Sequence, residues 1–260
     1  MIRNALRGKL KAGQTTYGIW VTLESPSITE IAVTLGMDWV VVDMEHGHLD
    51  FRELLEHVRV VRGSGTSVIV RVPEIQQGTI KRALDTGSHG VILPVVRSRA
   101  DVETGFSFAR YPMQGIRGVG GERAVKWGLG FEDYLHCANE EILVIPLIET
   151  RDAAECIDDI LAVPGLEAIF FGPADLSASH GYLGQWEGPG LAEKILDIRA
   201  KAAAKGVASG ILSRNVDESL KRRDQKFGMI AIGPDTGLMI RAIQENMAKL
   251  GRPAVPRLWF

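Results

Sequence analysis

The sequence has few cysteines, no long apolar run and no excess of either charge. Its two cysteines, Cys137 and Cys156, are too few for a disulfide framework and lack the spacing of a metal site, so we expect a reducing, cytoplasmic setting. No stretch approaches the roughly 18 consecutive apolar residues that a membrane helix needs. The basic start, Met1 to Leu10, is not followed by the apolar segment of a secretion signal. We therefore predict neither a disulfide-rich secreted domain nor a membrane protein.

Charge and composition are those of an ordinary globular chain. Lys and Arg total 30 against 32 for Asp and Glu, and the net charge of -2 gives no electrostatic reason to expect nucleic acid or an anionic membrane as a partner. Hydrophobic residues make up 45% and charged residues 24% of the 260 positions, which excludes a disordered or fibrous chain. Because the composition does not break anywhere, we predict one domain over residues 1–260, with an apolar tail at 251–260.

Short β-branched runs alternate with longer segments of helical periodicity. This alternation predicts a parallel sheet, and eight such units in about 250 residues predict a closed (β/α)₈ TIM barrel of the α/β class. The predicted strands are Tyr17–Val21, Trp39–Asp43, Val68–Val72, Gly90–Pro94, Leu143–Ile148, Ala168–Phe171, Val207–Ile211 and Met229–Ile232. The predicted helices are Ser27–Leu35, Phe51–Arg62, Gln77–Thr86, Ala100–Ala109, Arg151–Leu161, Leu191–Lys205, Val216–Lys226 and Gly237–Leu250.

An open, doubly wound sheet is the alternative arrangement of the same units. It would need a glycine-rich phosphate turn after the first strand, but the segment Val21–Ser25 contains no glycine. The glycine-rich segment Gly115–Gly121 also departs from the dinucleotide-binding pattern, because no third glycine follows Gly118 and Gly120 at the required spacing. We therefore interpret it as a loop able to approach a ligand closely, and not as a nucleotide site.

Two intervals between the predicted elements are long, Tyr111–Glu141 and Leu176–Pro189. Both follow the carboxyl ends of strands, where a barrel carries its active site and where functional loops occur. Polar residues at the strand ends are therefore the first candidates for chemistry. The tail ends in the apolar run Leu258–Phe260, and docking on a neighbouring subunit and packing on its own barrel both stay open.

Two acidic residues follow neighbouring predicted strands, Glu149 and Asp175. The spacing places both carboxylates on the same rim, and two carboxylates with open positions suit a hard cation such as Mg²⁺ or Mn²⁺. The absence of a His or Cys cluster argues against zinc. The alternative is structural, with Glu149 paired to a nearby arginine such as Arg151. Asp175 also begins a predicted helix, where the backbone N–H groups of Ala174 and Asp175 could bind an anion or Asp175 could simply cap the helix.

Two further strand ends carry residues suited to proton transfer and to anion binding. His46 ends the run Asp43–His46, and histidine is the side chain most readily poised as a base near neutral pH. We expect His57, within a helix, at the surface instead. Arg71 ends an apolar strand, and its guanidinium must meet a structural carboxylate or a substrate anion. A Schiff-base aldolase would need a lysine inside the barrel, and no predicted strand contains one, so carbonyl chemistry here would need a metal.

These residues lie within a longer set of motifs by which the chain resembles the HpcH/HpaI family of class II, metal-dependent pyruvate aldolases. The motifs run in family order over nearly the whole sequence. They are Gly18–Trp20, Asp38–His46, Val70–Val72, Lys81–Gly87, Arg110–Pro112, Gly115–Val119, Ile148–Thr150, Phe171–Ser177 and Gly210–Leu212. The resemblance implies a TIM barrel that forms an enolate of pyruvate or a close analogue and adds it reversibly to an aldehyde.

The resemblance also implies roles for single residues. Glu149 and Asp175 would ligate a divalent metal, Mg²⁺, Mn²⁺ or Co²⁺, with no organic cofactor. His46 would act as the base, and Asp85, often from a neighbouring subunit in this family, would raise the basicity of that histidine. Arg71 would stabilise the enolate. The remaining implied pocket residues are Trp20 and Leu212, which shape it, and the backbone of Ala174 and Asp175, which would hold the pyruvate carboxylate.

One position departs from the family pattern. Many members carry a glutamine that contacts substrate two residues before the glutamate, where this chain has Leu147. We expect an altered substrate preference, with hydroxypyruvate as a candidate donor, and retained aldol chemistry. The alternative reactions on the same barrel are oxaloacetate decarboxylation and citrate-lyase-like cleavage of an acyl-CoA. The implied partners are a small keto acid, an aldehyde and further copies of the chain in a hexamer, a trimer of dimers that exchange their C-terminal helices.

Overall fold

Eight parallel strands close into a barrel in which each strand pairs with the next along the chain and the last pairs with the first. The computed structural model describes residues 3–253 and residue 255. The strands are β1 Thr16–Val21, β2 Trp39–Asp43, β3 Ser67–Arg71, β4 Gly90–Leu93, β5 Leu143–Ile148, β6 Ala168–Phe171, β7 Ala208–Leu212 and β8 Met229–Pro234. The predicted (β/α)₈ barrel is confirmed, and the open sheet is wrong.

Helices follow the strands and cover the outside of the barrel. Over residues 3–253 they are α1 Ala5–Lys11, α2 Pro26–Thr34, α3 Phe51–Val60, α4 Gln77–Asp85, α5 Arg99–Ala109, α6 Phe131–Glu141, α7 Arg151–Glu155, α8 Ile157–Ile160, α9 Pro173–Ser179, α10 Leu191–Ala204, α11 Val216–Asp224 and α12 Asp235–Lys249, with a 3₁₀-helix at Arg123–Gly128. The predicted helix Arg151–Leu161 is two helices, because Cys156 leaves helical geometry at φ -98° and ψ 25°. The helices α1 and α6, of seven and 11 residues, were not predicted.

The apolar side chains form two layers because successive residues of a strand face opposite sides of the sheet. In β2, Trp39 and Val41 point into the barrel, whereas Val40 and Val42 pack under the helices. Gly18 makes room for the Trp39 indole, since a β-carbon there would lie 2.3 Å from the ring. The filled interior leaves the two ends of the barrel as the places where a ligand can bind.

One end of the barrel is closed by the start of the chain. Leu6 of α1 is fully buried in the inner core, and the Asn4 amide donates hydrogen bonds to the carbonyls of His89 and Glu141. These contacts lie at the amino ends of the strands, an end that we call the foot. The opposite end, at the carboxyl ends of the strands, is the mouth. Closure of the foot by α1 leaves the mouth open to solvent.

The prediction that His57 lies at the surface is wrong. The His57 side chain is fully buried between α2 and α3, where its Nδ1 lies 2.7 Å from Thr29 Oγ1. Burial lowers the pKa of His57 to about 4, against a smaller raising effect of Asp235. A histidine within a helix was assigned to the surface on residue type alone, but the packing of two neighbouring helices decides its environment.

The last helix packs on its own barrel at its start, where Asp235 and Gly237 are its buried residues. The Asp235 carboxylate, at the start of α12, accepts hydrogen bonds from the backbone N–H groups of Thr22 and Leu23, which ties the ends of β8 and β1 together. Exchange of this helix between subunits stays a prediction. The apolar end of the tail, Leu258–Phe260, lies outside the described residues. Within the described ranges, no helix has the length and apolar character that crossing a membrane requires.

Candidate active site

A cavity of about 190 Å³ opens at the mouth of the barrel. It is smaller than the roughly 300–1,000 Å³ pockets that hold drug-sized ligands, so it suits a small substrate. The structure brings together most of the predicted site residues, from six different strands or the turns after them. Those that line the cavity are Trp20, His46, Arg71, Leu147, Glu149, Ala174, Asp175 and Leu212.

Glu149 stands at the end of β5 and is almost fully buried. Its Oε1 accepts a hydrogen bond from the Val95 N–H at 2.7 Å. A β-carbon at Gly172 would lie 3.0 Å from the Glu149 side chain, so glycine there lets the carboxylate sit against the turn after β6. The alternative pairing with Arg151 is wrong, because the Arg151 guanidinium donates to Glu155 at 2.7 Å.

The Glu149 carboxylate lacks enough positive charge around it to balance its burial and its acidic neighbours. Burial raises the pKa of Glu149 to about 7, and the nearby carboxylates of Glu45 and Asp175 add to the shift. The positive charge of Arg71 only partly opposes it. A cation between Glu149 and Asp175 would relieve both the burial and the repulsion.

Glu149 and Asp175 fit a hard divalent cation that keeps several water ligands. Asp175 is exposed at the start of α9, so its carboxylate and that of Glu149 approach the cavity from adjacent strands. Over residues 3–253 and 255, no group of three or more His, Cys, Asp or Glu side chains is arranged around a metal position. Two carboxylates with open positions are what Mg²⁺ or Mn²⁺ accepts, whereas zinc prefers a fuller set with nitrogen or sulfur.

The sequence left open whether Arg71 pairs with a structural carboxylate or with a substrate anion. In the structure it pairs with carboxylates of its own chain. Its Nε donates to Asp43 Oδ1 at 2.9 Å, its Nη2 donates to Asp43 Oδ2, and its Nη1 lies 2.9 Å from Glu45 Oε2. The guanidinium also lies over the Trp20 ring at 5.1 Å. A guanidinium has five N–H donors, so two stay available for an oxyanion in the cavity.

Asp43 organises this corner of the site. Besides the Arg71 fork, its carboxylate accepts hydrogen bonds from the Trp20 indole at 3.0 Å and from the backbone N–H groups of Glu45 and His46. Burial acts to raise the pKa of Asp43, but the Arg71 hydrogen bond and charge outweigh it and lower that pKa. The carboxylate is therefore ionised and fully engaged, which suits positioning better than proton transfer. Asp43 and Glu45 were not among the predicted site residues, although both stand in the run that pointed to His46.

His46 and Asp85, the implied base and its partner, lie apart within one chain. The exposed His46 lines the mouth cavity, and its backbone is fixed by the 3.2 Å hydrogen bond to Asp43. Asp85 ends α4 outside the cavity and accepts a 2.8 Å hydrogen bond from the buried Arg117. Asp85 could therefore raise the basicity of His46 only across a contact between subunits, and that role stays a prediction.

Sequence reasoning also missed Trp186, Thr22 and Thr236, which line the cavity. Trp186 comes from the long interval after β6, and its indole donates to Glu218 Oε1 of α11 at 3.0 Å. The length of that interval was the available signal for a functional loop. Thr22 directly follows β1, so its position at a strand end could have identified it, whereas Trp186 stands at no strand end and only the folded chain shows where it lies.

The family model of the HpcH/HpaI aldolase/citrate lyase family matches residues 16–242. A hydroxypyruvate/pyruvate aldolase of Sagittula stellata is 37% identical over 95% of this chain and 98% of its own. A 4-hydroxy-2-oxo-heptane-1,7-dioate aldolase of Salmonella paratyphi A is 34% identical over 96% and 95%. The crystal structure of a family protein from Burkholderia cenocepacia has a TM-score of 0.90 and 30% identity over 95% of this chain and 99% of that one. The chain belongs to the HpcH/HpaI aldolase/citrate lyase family and is a lyase.

Proposed function

We propose that the protein is a divalent-metal-dependent aldolase that reversibly joins the enolate of pyruvate or hydroxypyruvate to an aldehyde. The observation that carries the proposal is the convergence of Glu149, Asp175, Arg71 and His46 on one small cavity. The names of the relatives from Sagittula stellata and Salmonella paratyphi A support the substrate class. The product of addition would be a 4-hydroxy-2-oxo acid.

The metal, Mg²⁺ or Mn²⁺, would be held by Glu149 and Asp175. When bound, such a cation withdraws charge from a keto oxygen and so makes the adjacent C–H acidic. Burial and repulsion between carboxylates hold the pKa of Glu149 at about 7, so the chain has a ready reason to bind a cation there. Donor binding and proton transfer then need only groups of the protein.

The chain's own residues bind the donor and move its proton. The backbone N–H groups of Ala174 and Asp175, in the first turn of α9, are not used within the helix and suit the donor's carboxylate. His46 takes a proton from the carbon next to the keto group and returns it on the reverse path. Arg71, held by Asp43, donates its remaining N–H groups to the enolate oxygen.

The apolar walls leave room for a small donor only. Leu147 of β5 and Trp20 of β1 are nearly fully buried and close the inner side of the cavity. They exclude water from the enolate, which strengthens each charge interaction around it. Leu147 offers no hydrogen bond to a donor substituent, so we propose that it shifts the preference between pyruvate and hydroxypyruvate.

We also propose a cytoplasmic homo-oligomer. The helix α12 exposes an apolar stripe at Met239, Ile243, Met247 and Leu250, spaced as one helical face. A second copy would cover such a face, and that contact could bring Asp85 of one chain to His46 of another. The free thiols of Cys137 and Cys156 support a reducing compartment.

Proton exchange tests the proposed function. The methyl protons of pyruvate, or the C3 protons of hydroxypyruvate, are followed by NMR in D₂O with enzyme as purified, with chelator, and with Mg²⁺ or Mn²⁺ restored. We expect exchange that chelator abolishes and metal restores. Glu149→Gln should lose exchange, whereas Glu155→Gln, an exposed glutamate with the same chemical change, should keep it. Exchange that persists without metal, or no exchange of either donor with any metal, would contradict the proposal.

A second assay separates aldol addition from the alternative reactions. Enzyme that exchanges donor protons is given an aldehyde, and the new carbon–carbon bond is detected by mass spectrometry. We expect a 4-hydroxy-2-oxo acid. If the enzyme instead releases carbon dioxide from oxaloacetate and forms no adduct with any aldehyde, the decarboxylase alternative replaces the aldolase.

A further inference from the structure

A second cavity, of about 520 Å³, lies at the foot of the barrel, and we call it the foot cavity. It is enclosed by the end of α3, by the turns that lead into β3 and β4, and by the 3₁₀-helix within the long interval Tyr111–Glu141. Its lining residues are Arg3, Val58, Val61, Arg62, Gly63, Ser64, Gly87, His89, Arg123, Ala124, Lys126, Trp127 and Leu129. The mouth cavity shares none of these residues.

The lining of the foot cavity is positively charged. Four of its residues are Arg or Lys, Arg3, Arg62, Arg123 and Lys126, and none is Asp or Glu. In the part of the chain that the structure describes, neither Arg62 nor Lys126 forms an ion pair with a carboxylate. The whole chain carries a net charge of -2, so this excess of positive charge is local. Such a concentration of charge in a concave surface attracts anions.

Arg123 is built into the wall of the foot cavity. Its Nη1 donates to the Thr86 carbonyl at 2.5 Å and its Nη2 donates to the Val58 carbonyl at 3.3 Å, so the guanidinium joins the ends of α4 and α3. Gly87, at φ +91°, makes room for it, because a β-carbon there would lie 2.7 Å from Nη1. Burial lowers the pKa of Arg123, and the charges of Arg59 and Arg62 lower it further. The cation is thus fixed in place, and no carboxylate among residues 3–253 forms an ion pair with it.

The rim of the foot cavity is formed by a strained turn. Lys126, Trp127 and Gly128 are all left-handed, at φ +52°, +53° and +90°. Residues with side chains adopt this conformation at a cost, and such strain occurs most often at binding sites. The turn leaves the Trp127 side chain 68% exposed. An exposed indole beside Lys126 offers an apolar face next to a positive charge.

We propose that the foot cavity is a binding site for a small phosphate-bearing ligand. Arg62, Arg123 and Lys126 would hold the phosphate, since the guanidinium fork matches phosphate oxygens and lysine adds a point charge. The Trp127 face would cover the organic part of the ligand. The site is independent of the chemistry at the mouth, because it stands on residues at the opposite end of the barrel.

Phenyl phosphate is the probe for this test, because it combines a phosphate dianion with a flat ring. Binding to the metal-loaded protein is measured by isothermal titration calorimetry at a fixed ionic strength of about 0.1 M, which screens diffuse attraction. We expect saturable binding. The double variant Arg62→Gln with Lys126→Gln should weaken it at least tenfold, and Trp127→Ala should weaken it by a smaller factor.

The matched control removes two exposed lysines elsewhere, Lys221→Gln with Lys249→Gln. It loses the same net charge as the test variant and should bind phenyl phosphate as the wild type does. Circular dichroism checks that both double variants fold, which their exposed positions favour. Binding that does not saturate, that is unaffected by the foot variant, or that falls equally in both double variants would overturn the proposal, since each outcome assigns the attraction to another place or to the overall charge.

Discussion

The two ends of the barrel are built from the same repeating unit, yet they carry opposite charge. The mouth holds Asp43, Glu149 and Asp175 around a single arginine, whereas the foot cavity holds four cations and no acid. Each end contains a residue whose charged form is penalised by burial and by like-charged neighbours, Glu149 at the mouth and Arg123 at the foot. Burial raises the pKa of Glu149 to about 7 at the mouth, and burial lowers the pKa of Arg123 at the foot.

A barrel can carry binding sites at both of its ends. The strands and their packing hold the fold together in the middle, so the ends can keep charges that do not favour folding. A ligand of opposite charge would relieve the penalty at each end, the proposed cation at the mouth and the proposed phosphate at the foot. Variants of the charged residues at the mouth can show whether the Asp43–Arg71 pair stabilises this end and whether the unpaired Glu149 carries its chemistry.

The largest expected effect on stability comes from the paired charges at the mouth. Asp43→Asn leaves the buried Arg71 with only Glu45, and we expect the free energy of unfolding to fall by about 3 kcal/mol. Urea unfolding measures it. Glu56→Gln removes one partner of the exposed pair Glu56–Arg59 and should cost less than about 1 kcal/mol. Equal losses in the two variants would show that burial of the mouth pair does not matter.

The unpaired charge at the mouth should behave in the opposite way. Glu149→Gln removes a proposed metal ligand, and proton exchange of the donor should fall at least about 100-fold, the upper range for loss of a supporting residue around a metal. The same change removes a buried, repelled charge, so the free energy of unfolding should stay equal or rise. Glu155→Gln should change neither quantity. A Glu149→Gln variant that is both inactive and unstable would assign this glutamate a structural role.

His57 is buried away from both ends of the barrel, so its protonation should change folding stability without acting directly on the chemistry at the mouth. Because the pKa of His57 is about 4 when folded and near 6.5 when unfolded, the unfolded chain binds the proton first as the pH falls. Stability is therefore complete above about pH 6.5 and declines toward pH 4, by roughly 1–2 kcal/mol at pH 5.

Urea unfolding at pH 7.5 and pH 5 measures this dependence. The difference between the two pH values should be smaller in His57→Gln than in wild type. It should be unchanged in His136→Gln, because His136 is exposed. Part of the dependence should remain in His57→Gln, because burial also lowers the pKa of His89 to about 4. A wild-type dependence that is undiminished in His57→Gln would assign the proton uptake entirely to other groups.

The smallest expected effect concerns the substrate preference set by Leu147 inside the mouth. Leu147→Gln places an amide where many family members carry one, and we expect the ratio of kcat/KM for pyruvate and hydroxypyruvate to shift by roughly tenfold, the size of one added polar or apolar contact. Leu147→Met, which keeps the site apolar and nearly isosteric, should leave the ratio unchanged. A shift of equal size in both variants would point to packing against Phe170, its neighbour on β6, in place of hydrogen bonding.

The fold was largely predictable because barrel strands are short and apolar and are separated by helical periodicity. All eight predicted strands are present, with ends that differ by at most two residues. The misses include short or irregular elements, α1 and the 3₁₀-helix, and one full-length helix, α6. The helix α1 has seven residues, and its contacts with the foot come from residues far along the chain, Ser67, His89 and Glu141.

The candidate site was predictable where it follows strand ends and unpredictable where it depends on contacts between loops. Glu149, Arg71 and His46 stand at or just after strands, so the alternation alone placed them on one rim. Trp186 lies in a loop whose path is set by its hydrogen bond to Glu218, 32 residues away. No local pattern contains that pairing.

The amino-acid sequence was enough to predict the barrel, the common rim that carries Glu149 and Asp175, and strands without lysine. These features follow from periodicity and from the residue types in the strands and at their ends. Tertiary structure alone decided that Arg71 pairs with Asp43, that His57 is buried, and that Arg62, Arg123 and Lys126 surround one cavity. The reason is physical. Burial, pairing and local charge depend on which distant segments meet, and that is fixed only when the eight units close on one another.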